Sequence, residues 1–460
     1  MLNIDKLSTD AQSRYKKILK KRKDNTDALS FLNQLDTTDN CIFLTGKAGT
    51  WKSTLIKDVI DFCMWISKPP LALWSTGISA LNIWWQTVHS FFSLWIENVY
   101  FKDIQHYLKD KKNRQYKLKK KKVKTLVNVP FVIIDEISML NSSTIDCINF
   151  LMTYNLAKES WDASLEKKPF WGKPVIFVWD VFQLPPVSNQ DRKDKFRDHY
   201  ESERFFDSIT FKNKLPYDII ELKKNYRQEH DQFFWDILDA IRNEDISDFH
   251  LSVLNKQLWE ADSDVILLST HRNKVDTVNN KKLFELKWKE YLYHWETEWH
   301  FPEGMKKADD ILRLKQWAKV MMITNDMSGR RINWSMWFIK GLWEDFIDVE
   351  IWNDIVSILP EIRYNKEVTI TDKWYVEEDI LWTYSQFPLK LAYSITIHKS
   401  QWMTFDACTL DLYGIFTWWQ AYTALSRSRT LAWIKLLTKI ERRHLFFHPA
   451  IKKFIQEHMT

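Results

Sequence analysis

Apolar positions along the chain change their spacing at a few places, and each change marks an element. The unbroken start of "CIFLTG" (Cys41 to Gly46) predicts a short buried strand, and the residues after it, "KSTLIKDVIDFCM" (Lys52 to Met64), space their apolar side chains as a helix. Two later runs, "FVIIDEISML" (Phe131 to Leu140) and "VIFVWDVFQLPPV" (Val175 to Val187), are again buried strands, each ending in acidic or polar residues. "FFWDILDAI" (Phe233 to Ile241) has helical spacing. From about 343 to 388, polar and apolar residues alternate in short runs such as "KEVTITDKWYV", which predicts a small β-rich insertion. No apolar run approaches the roughly 18 residues of a membrane span, and the first residues carry no apolar signal core, so a soluble cytoplasmic protein is expected.

Between the first predicted strand and helix lies "GKAGTWKST", Gly46 to Thr54. A phosphate-binding loop runs Gly, four residues, Gly, Lys, Ser or Thr, and its second glycine lies against the nucleotide phosphates. Here that position is Trp51. With Trp51 set aside, Lys52 would reach the terminal phosphates, Ser53 would hold magnesium, and the backbone of Gly49 through Lys52 would cradle phosphate oxygens. Gly46, Lys47, Ala48, Thr50 and Thr54 complete the loop. Asp135, at the end of its strand, would bind magnesium through water, and Glu136 would orient and deprotonate the attacking water. An exposed acidic turn would give the same two residues. Gln183, ahead of two prolines that stiffen its turn, would sense the γ-phosphate.

Composition changes the picture at one point. The chain has 460 residues with 8 Gly and 25 Trp. Gly is far below its usual share of about 7%, and Gly and Trp together make up that share. The tryptophans also recur at strand-to-loop junctions where a small residue is needed, as at Trp179. The four cysteines, Cys41, Cys63, Cys147 and Cys408, form no C-x-x-C pair, so neither a disulfide framework nor a zinc site is indicated.

Seven segments in order, "GKAGTWKST", "STGISALNIWWQTVHSFF", "DEISM", "WDVFQLPPV", "NYRQ", "TIHKSQWMTFD" and "YTALSRSRT", resemble those of superfamily 1 DNA helicases of the Pif/RecD-like group, from about Asn40 to the C-terminus. At Trp51, Trp84, Trp85, Trp179, Trp334, Trp337, Trp402, Trp418 and Trp419 that family has glycine. A gene that writes glycine as UGA, translated with a table that reads UGA as tryptophan, accounts for this choice of positions; Trp235, inside a helical run, is the best candidate for a genuine tryptophan.

The resemblance implies an α/β fold of two RecA-like P-loop NTPase domains, parallel sheets flanked by helices. These span 1–213, with a small wedge insertion at about 93–128, and 214–460, with a small β-barrel insertion at about 343–388. It implies ATP and Mg2+ as cofactors and 5′-to-3′ translocation on single-stranded DNA, in replication, repair or recombination. Arg227 and Arg427 resemble the two arginines that reach the γ-phosphate across the cleft. Gln401 would lie near the cleft, and His398 and Lys399 at the DNA backbone. His89, Phe91 and Phe92 would contact single-stranded DNA, although aromatics at this spacing are as often core. The family's adenine-reading glutamine has no counterpart near Ala28. Single strands and duplex junctions are the expected partners of a monomeric motor without membrane attachment. A catalytically inactive DNA-binding relative and the motor subunit of a recombination nuclease are the alternatives.

Net charge is +6, and the segment "KDKKNRQYKLKKKKVK" (Lys109 to Lys124) alone holds ten Lys or Arg and one Asp, which leaves the rest of the chain net acidic. The segment is either a phosphate-neutralising surface or a solvated loop.

Overall fold

The computed structural model describes residues 1–47, 49–75, 86–94, 118–160, 162–165, 167–180, 199–213, 215–224, 231–259, 265–294, 296–298, 311–323, 336–351, 354–370, 376–401, 403–416, 419–445 and 449–458. Two short helices open the chain: α1 (Thr9–Lys21), whose Ser8 side chain accepts from the Ala11 N–H, and α2 (Thr26–Thr37), capped in the same way by Asn25 at Ala28.

They lead into a six-stranded parallel sheet built from β1 (Cys41–Gly46), β2 (Leu71–Trp74), β3 (Gln86–Thr87), β4 (Val132–Asp135), β5 (Val175–Trp179) and β6 (Tyr217–Leu222), in the order β3-β2-β4-β5-β1-β6. The central strands are apolar without alternation because both faces are covered. Ile42 and Leu44 face one cluster with Ile133 and Ile176, while Phe43 faces another with Ile134 and Phe177. Helix α3 (Lys52–Trp65) follows β1 and buries Leu55, Ile56, Val59 and Phe62, as its spacing predicted.

In a parallel sheet every strand delivers its last residue to the same edge. Gly46 at the end of β1, Asp135 at the end of β4 and Trp179 at the end of β5 therefore share one edge, followed directly by the phosphate loop, Glu136 and Asp180.

A second parallel sheet has the order Ser394–Thr396, β7 (Ile266–Ser269), Cys408–Asp411, Ile434–Leu436. Between its first two strands in the sequence lies an antiparallel β-rich unit. Its five-stranded sheet runs Asp354–Ile358, Ile347–Ile351, Met336–Leu342, Lys319–Met322, Leu389–Leu391, and two smaller sheets stand beside it. Leu314, Val320, Ile339, Ile347, Val349 and Leu389 form its core.

Two boundaries differ from expectation. The first sheet continues past 213, because β6 pairs with β1 from Cys41↔Tyr217 to Gly46↔Leu222. The β-rich strands begin at Glu290 and end at Leu391, outside the expected 343–388. In both cases the excess strands are fixed by pairing with distant partners, which local alternation does not reveal. Among the described residues no helix is long and apolar enough to cross a membrane, and the four cysteines are buried free thiols.

Candidate nucleotide site between two parallel sheets

The loop after β1 is shaped by close approach. A Cβ at Gly46 would stand 2.7 Å from the Leu222 carbonyl oxygen and 2.7 Å from the Thr50 hydroxyl, so only glycine fits. Thr50 is buried, and its hydroxyl donates to the Lys47 carbonyl at 2.9 Å. Gly49 has φ 86° and Trp51 has φ 61°, ψ 33°, the left-handed conformation, directly before the first turn of α3. A bulky L-residue rarely adopts this conformation.

The indole of Trp51 is 49% exposed. Lys52, by contrast, is buried, and its ammonium donates to the carbonyls of Gly46 (2.7 Å) and Lys47 (3.1 Å). Burial lowers its pKa, opposed by the charges of Asp180, Glu136 and Asp135. Ser53 and Thr54 are exposed on the first turn, where helix N–H groups lack intrahelical acceptors.

Opposite the lysine stand three buried carboxylates. Asp135 accepts the Glu136 N–H at 2.8 Å through one oxygen, and its other oxygen is buried without a hydrogen-bond partner. Burial pushes its pKa up to about 7. Glu136 is held in the left-handed region (φ 56°, ψ 49°), and one of its carboxylate oxygens is likewise unpartnered. Its pKa is well above the ordinary value, through burial first and then the neighbouring Asp135. Asp180 is fully buried.

Open carboxylate oxygens in a dry site are costly unless a cation meets them. Among the described residues no cluster of three or more His, Cys, Asp or Glu could hold a metal by itself. A hydroxyl on the first turn of α3 and a carboxylate with one open oxygen suit magnesium instead, which takes few protein ligands and fills its shell with phosphate and water.

The second sheet supplies the other wall. Arg427 is fully buried; its guanidinium donates to the Thr423 carbonyl (2.8 Å), the Ser426 hydroxyl (2.8 Å) and the Gln401 carbonyl. Its pKa is lowered by burial, while the charges of Asp180 and Glu136 from the first sheet favour the protonated form. Gln401 is buried, and its side-chain amide has no hydrogen-bond partner on either atom. Trp419 has φ 72°, immediately before the helix Gln420–Leu425.

His398 is half-buried, its ring lies 5.7 Å from that of Phe416 at 13°, and burial lowers its pKa to about 4, so it is neutral at pH 7. Lys399 lines a small pocket with Arg272, Lys390 and Thr396.

One pair of expected contacts is corrected. Phe91 and Phe92 are 0% exposed and meet in a T-shaped pair inside the core, so neither ring can stack on a base. The helix Val88–Phe92 turns them inward, and His89 on the same helix is half-buried with its pKa lowered by burial. Ala48, Gln183, Arg227, Trp84, Trp85, Trp334, Trp402 and Trp418 lie outside the described residues. Sequence reasoning missed Trp171 (φ 57°) and Trp317 (φ 67°), which share the left-handed conformation of Trp51 and Trp419. Position 317 is the third residue of a turn closed from the Ala318 N–H to the Lys315 carbonyl, where glycine is the usual occupant.

Residues 25–262 match the model of the PIF1-like helicase family. The chain is 30% identical over 454 residues to the ATP-dependent DNA helicase Pif1 of Campylobacter jejuni subsp. jejuni, covering 92% of this chain and 94% of that one. The chain belongs to the PIF1-like helicase family. Its fold is similar to that of a Bacteroides sp. Pif1 crystallised in complex with ADP-AlF4 (TM-score 0.80, 28% identity, 94% of this chain and 96% of that one). It is also similar to Bacteroides Pif1 bound to ssDNA (TM-score 0.68, 29% identity, the same coverage). Both PIF1-like sheets, each with its helices, are therefore RecA-like, as expected.

Proposed function

We propose that this PIF1-like chain is an ATP-dependent DNA helicase that translocates 5′ to 3′ on single-stranded DNA as a monomeric cytoplasmic motor. The observation that carries this reading is the burial together of Lys52, Asp135, Glu136 and Asp180 from the first sheet with Arg427 from the second, within range of one another's charges. ATP would bind on the Gly46–Thr54 loop. Lys52 would exchange the Gly46 and Lys47 carbonyls for phosphate oxygens. Mg2+, held by Ser53 and Asp135, would neutralise charge on the phosphates.

Glu136 would orient the attacking water and take its proton, a role that its raised pKa supports. Arg427 and Arg227 would stabilise the transferring phosphoryl group, with Gln183 and Gln401 reporting its presence. His398, Lys399 and His89 would contact the DNA, and cleft closure and reopening would move the two domains, joined after Leu222, along the strand.

We propose further that the natural protein has glycine at Trp51, Trp84, Trp85, Trp179, Trp334, Trp337, Trp402, Trp418 and Trp419. Among the described residues, four of the ten non-glycine residues with positive φ are tryptophan, two of them Trp51 and Trp419, which supports this reading. So do the indole N–H groups of Trp179 and Trp337, buried without a hydrogen-bond partner. With tryptophan retained at 51, the chain is instead a DNA-binding relative without ATPase activity.

The test is strand displacement by the glycine-bearing chain on duplexes with a single-stranded tail at one end. A 5′-tailed duplex is unwound with ATP, and a 3′-tailed duplex is not. Unwinding from the 3′ tail would overturn the assigned polarity, and no ATP-dependent unwinding of either would overturn the helicase reading.

A further inference from the structure

Beside the phosphate loop, four charged side chains alternate in sign across the junction of the two domains. Lys47, the second residue of the loop, is ion-paired with Asp239, and Arg242 is paired with Glu221 at 2.9 Å. Asp239 and Arg242 lie three residues apart on the helix Gln232–Arg242 and so share a face. That helix packs against Gln420–Leu425, the helix that precedes Arg427. Its apolar side, Phe234, Ile237, Leu238 and Ile241, is buried in the core that both share.

The other two partners belong to the first sheet. Lys47 follows β1, and Glu221 sits on β6 opposite Thr45, next to the root of the loop. Arg242 is 5% exposed and Lys47 17%, while their partners Glu221 and Asp239 are 25% and 36% exposed, so each cation is withdrawn from solvent and each carboxylate stays partly open to it. The Lys47 ammonium also lies 4.3 Å from the ring centroid of Trp235, on the same helix.

Lys47 connects the second domain to Lys52. Its ammonium reaches the second domain through Asp239, and its carbonyl accepts from the Lys52 ammonium at 3.1 Å. Phosphates on the loop would draw Lys52 off that carbonyl and present a stronger anion to the Lys47 ammonium.

We infer that Lys47 and Asp239 are positioning residues: their ion pair ties the loop to the second domain, and nucleotide phosphate competes with Asp239 for Lys47, so that ATP entry releases the tie. The Arg242–Glu221 pair, which involves no loop residue, keeps the helix registered on the first sheet while the first pair exchanges. Trp235 then has a role as tryptophan, since its ring seats the ammonium that moves.

This inference rests on the nucleotide-binding reading of the loop, and its test separates the two. In the glycine-bearing chain, Asp239→Asn removes the competing carboxylate with little change of shape. ATP and ADP then bind about fivefold more tightly, the size of one partly exposed ion pair. KM for ATP falls by a similar factor without a matching gain in kcat. Asp239→Glu restores the parent affinity, and in a Lys47→Gln background Asp239→Asn has no further effect on affinity. Unchanged affinity in Asp239→Asn, or the same gain without Lys47, overturns the tie while leaving nucleotide binding in place. A parent chain that binds no nucleotide overturns both.

Discussion

Glycine at position 51 is expected to turn a chain that does not bind ATP into one that hydrolyses it when single-stranded DNA is added. The comparison is between two chains that both carry glycine at 84, 85, 179, 334, 337, 402, 418 and 419 and differ only at 51. Trp51 sits at φ 61° at the point where the loop becomes helix α3. The left-handed backbone alone costs about 1–2 kcal/mol for a residue with a side chain. The larger effect expected is steric, because the residue here would donate its amide to phosphate and an indole beside that amide would fill space the nucleotide needs. The Trp51 chain folds and stays inactive. Steady-state ATPase activity with saturating single-stranded DNA reads the difference, and equal rates in the two chains would remove the steric account of position 51.

Arg227→Ala in the glycine-bearing chain leaves ATP affinity within a few-fold of the parent and lowers kcat by about 10³ or more. A cross-cleft arginine meets charge that develops on the transferring phosphoryl group, so its loss falls on the transition state rather than on binding. Arg427 makes the poorer test of the same idea, because its guanidinium also holds Thr423, Ser426 and Gln401 together in the core, so its removal damages the second domain as well. Nucleotide affinity and single-turnover hydrolysis measured on Arg227→Ala separate the two effects. Parallel losses of binding and turnover would assign Arg227 a structural role.

The parts of the site legible in the sequence are those written in contiguous residues. "CIFLTGKAGT" and "FVIIDEISML" each carry a strand and its functional end residues in one string, and parallel topology brings those ends to one edge without further information. What was not legible depends on partners far apart in the chain. β6 joins the first sheet only through its register with β1, and Lys47 meets a carboxylate 192 residues away. Phe91 and Phe92 read equally well as stacking platforms or as core, and the inward turn of a five-residue helix decides for core. The tryptophans at 171 and 317 escaped notice because no motif surrounds them; only their backbone conformation marks them.

The most direct test of a glycine loop driving this motor is the mass of the loop itself. Trypsin cleaves after Lys47 and Lys52 and releases the peptide of residues 48–52, written here as Ala-Gly-Thr-Trp-Lys. Tandem mass spectrometry of that peptide from the protein isolated from the cells that make it is expected to find Ala-Gly-Thr-Gly-Lys. Tryptophan at the fourth position of the natural peptide would contradict the account, because the chain would then carry a phosphate loop that cannot close on ATP.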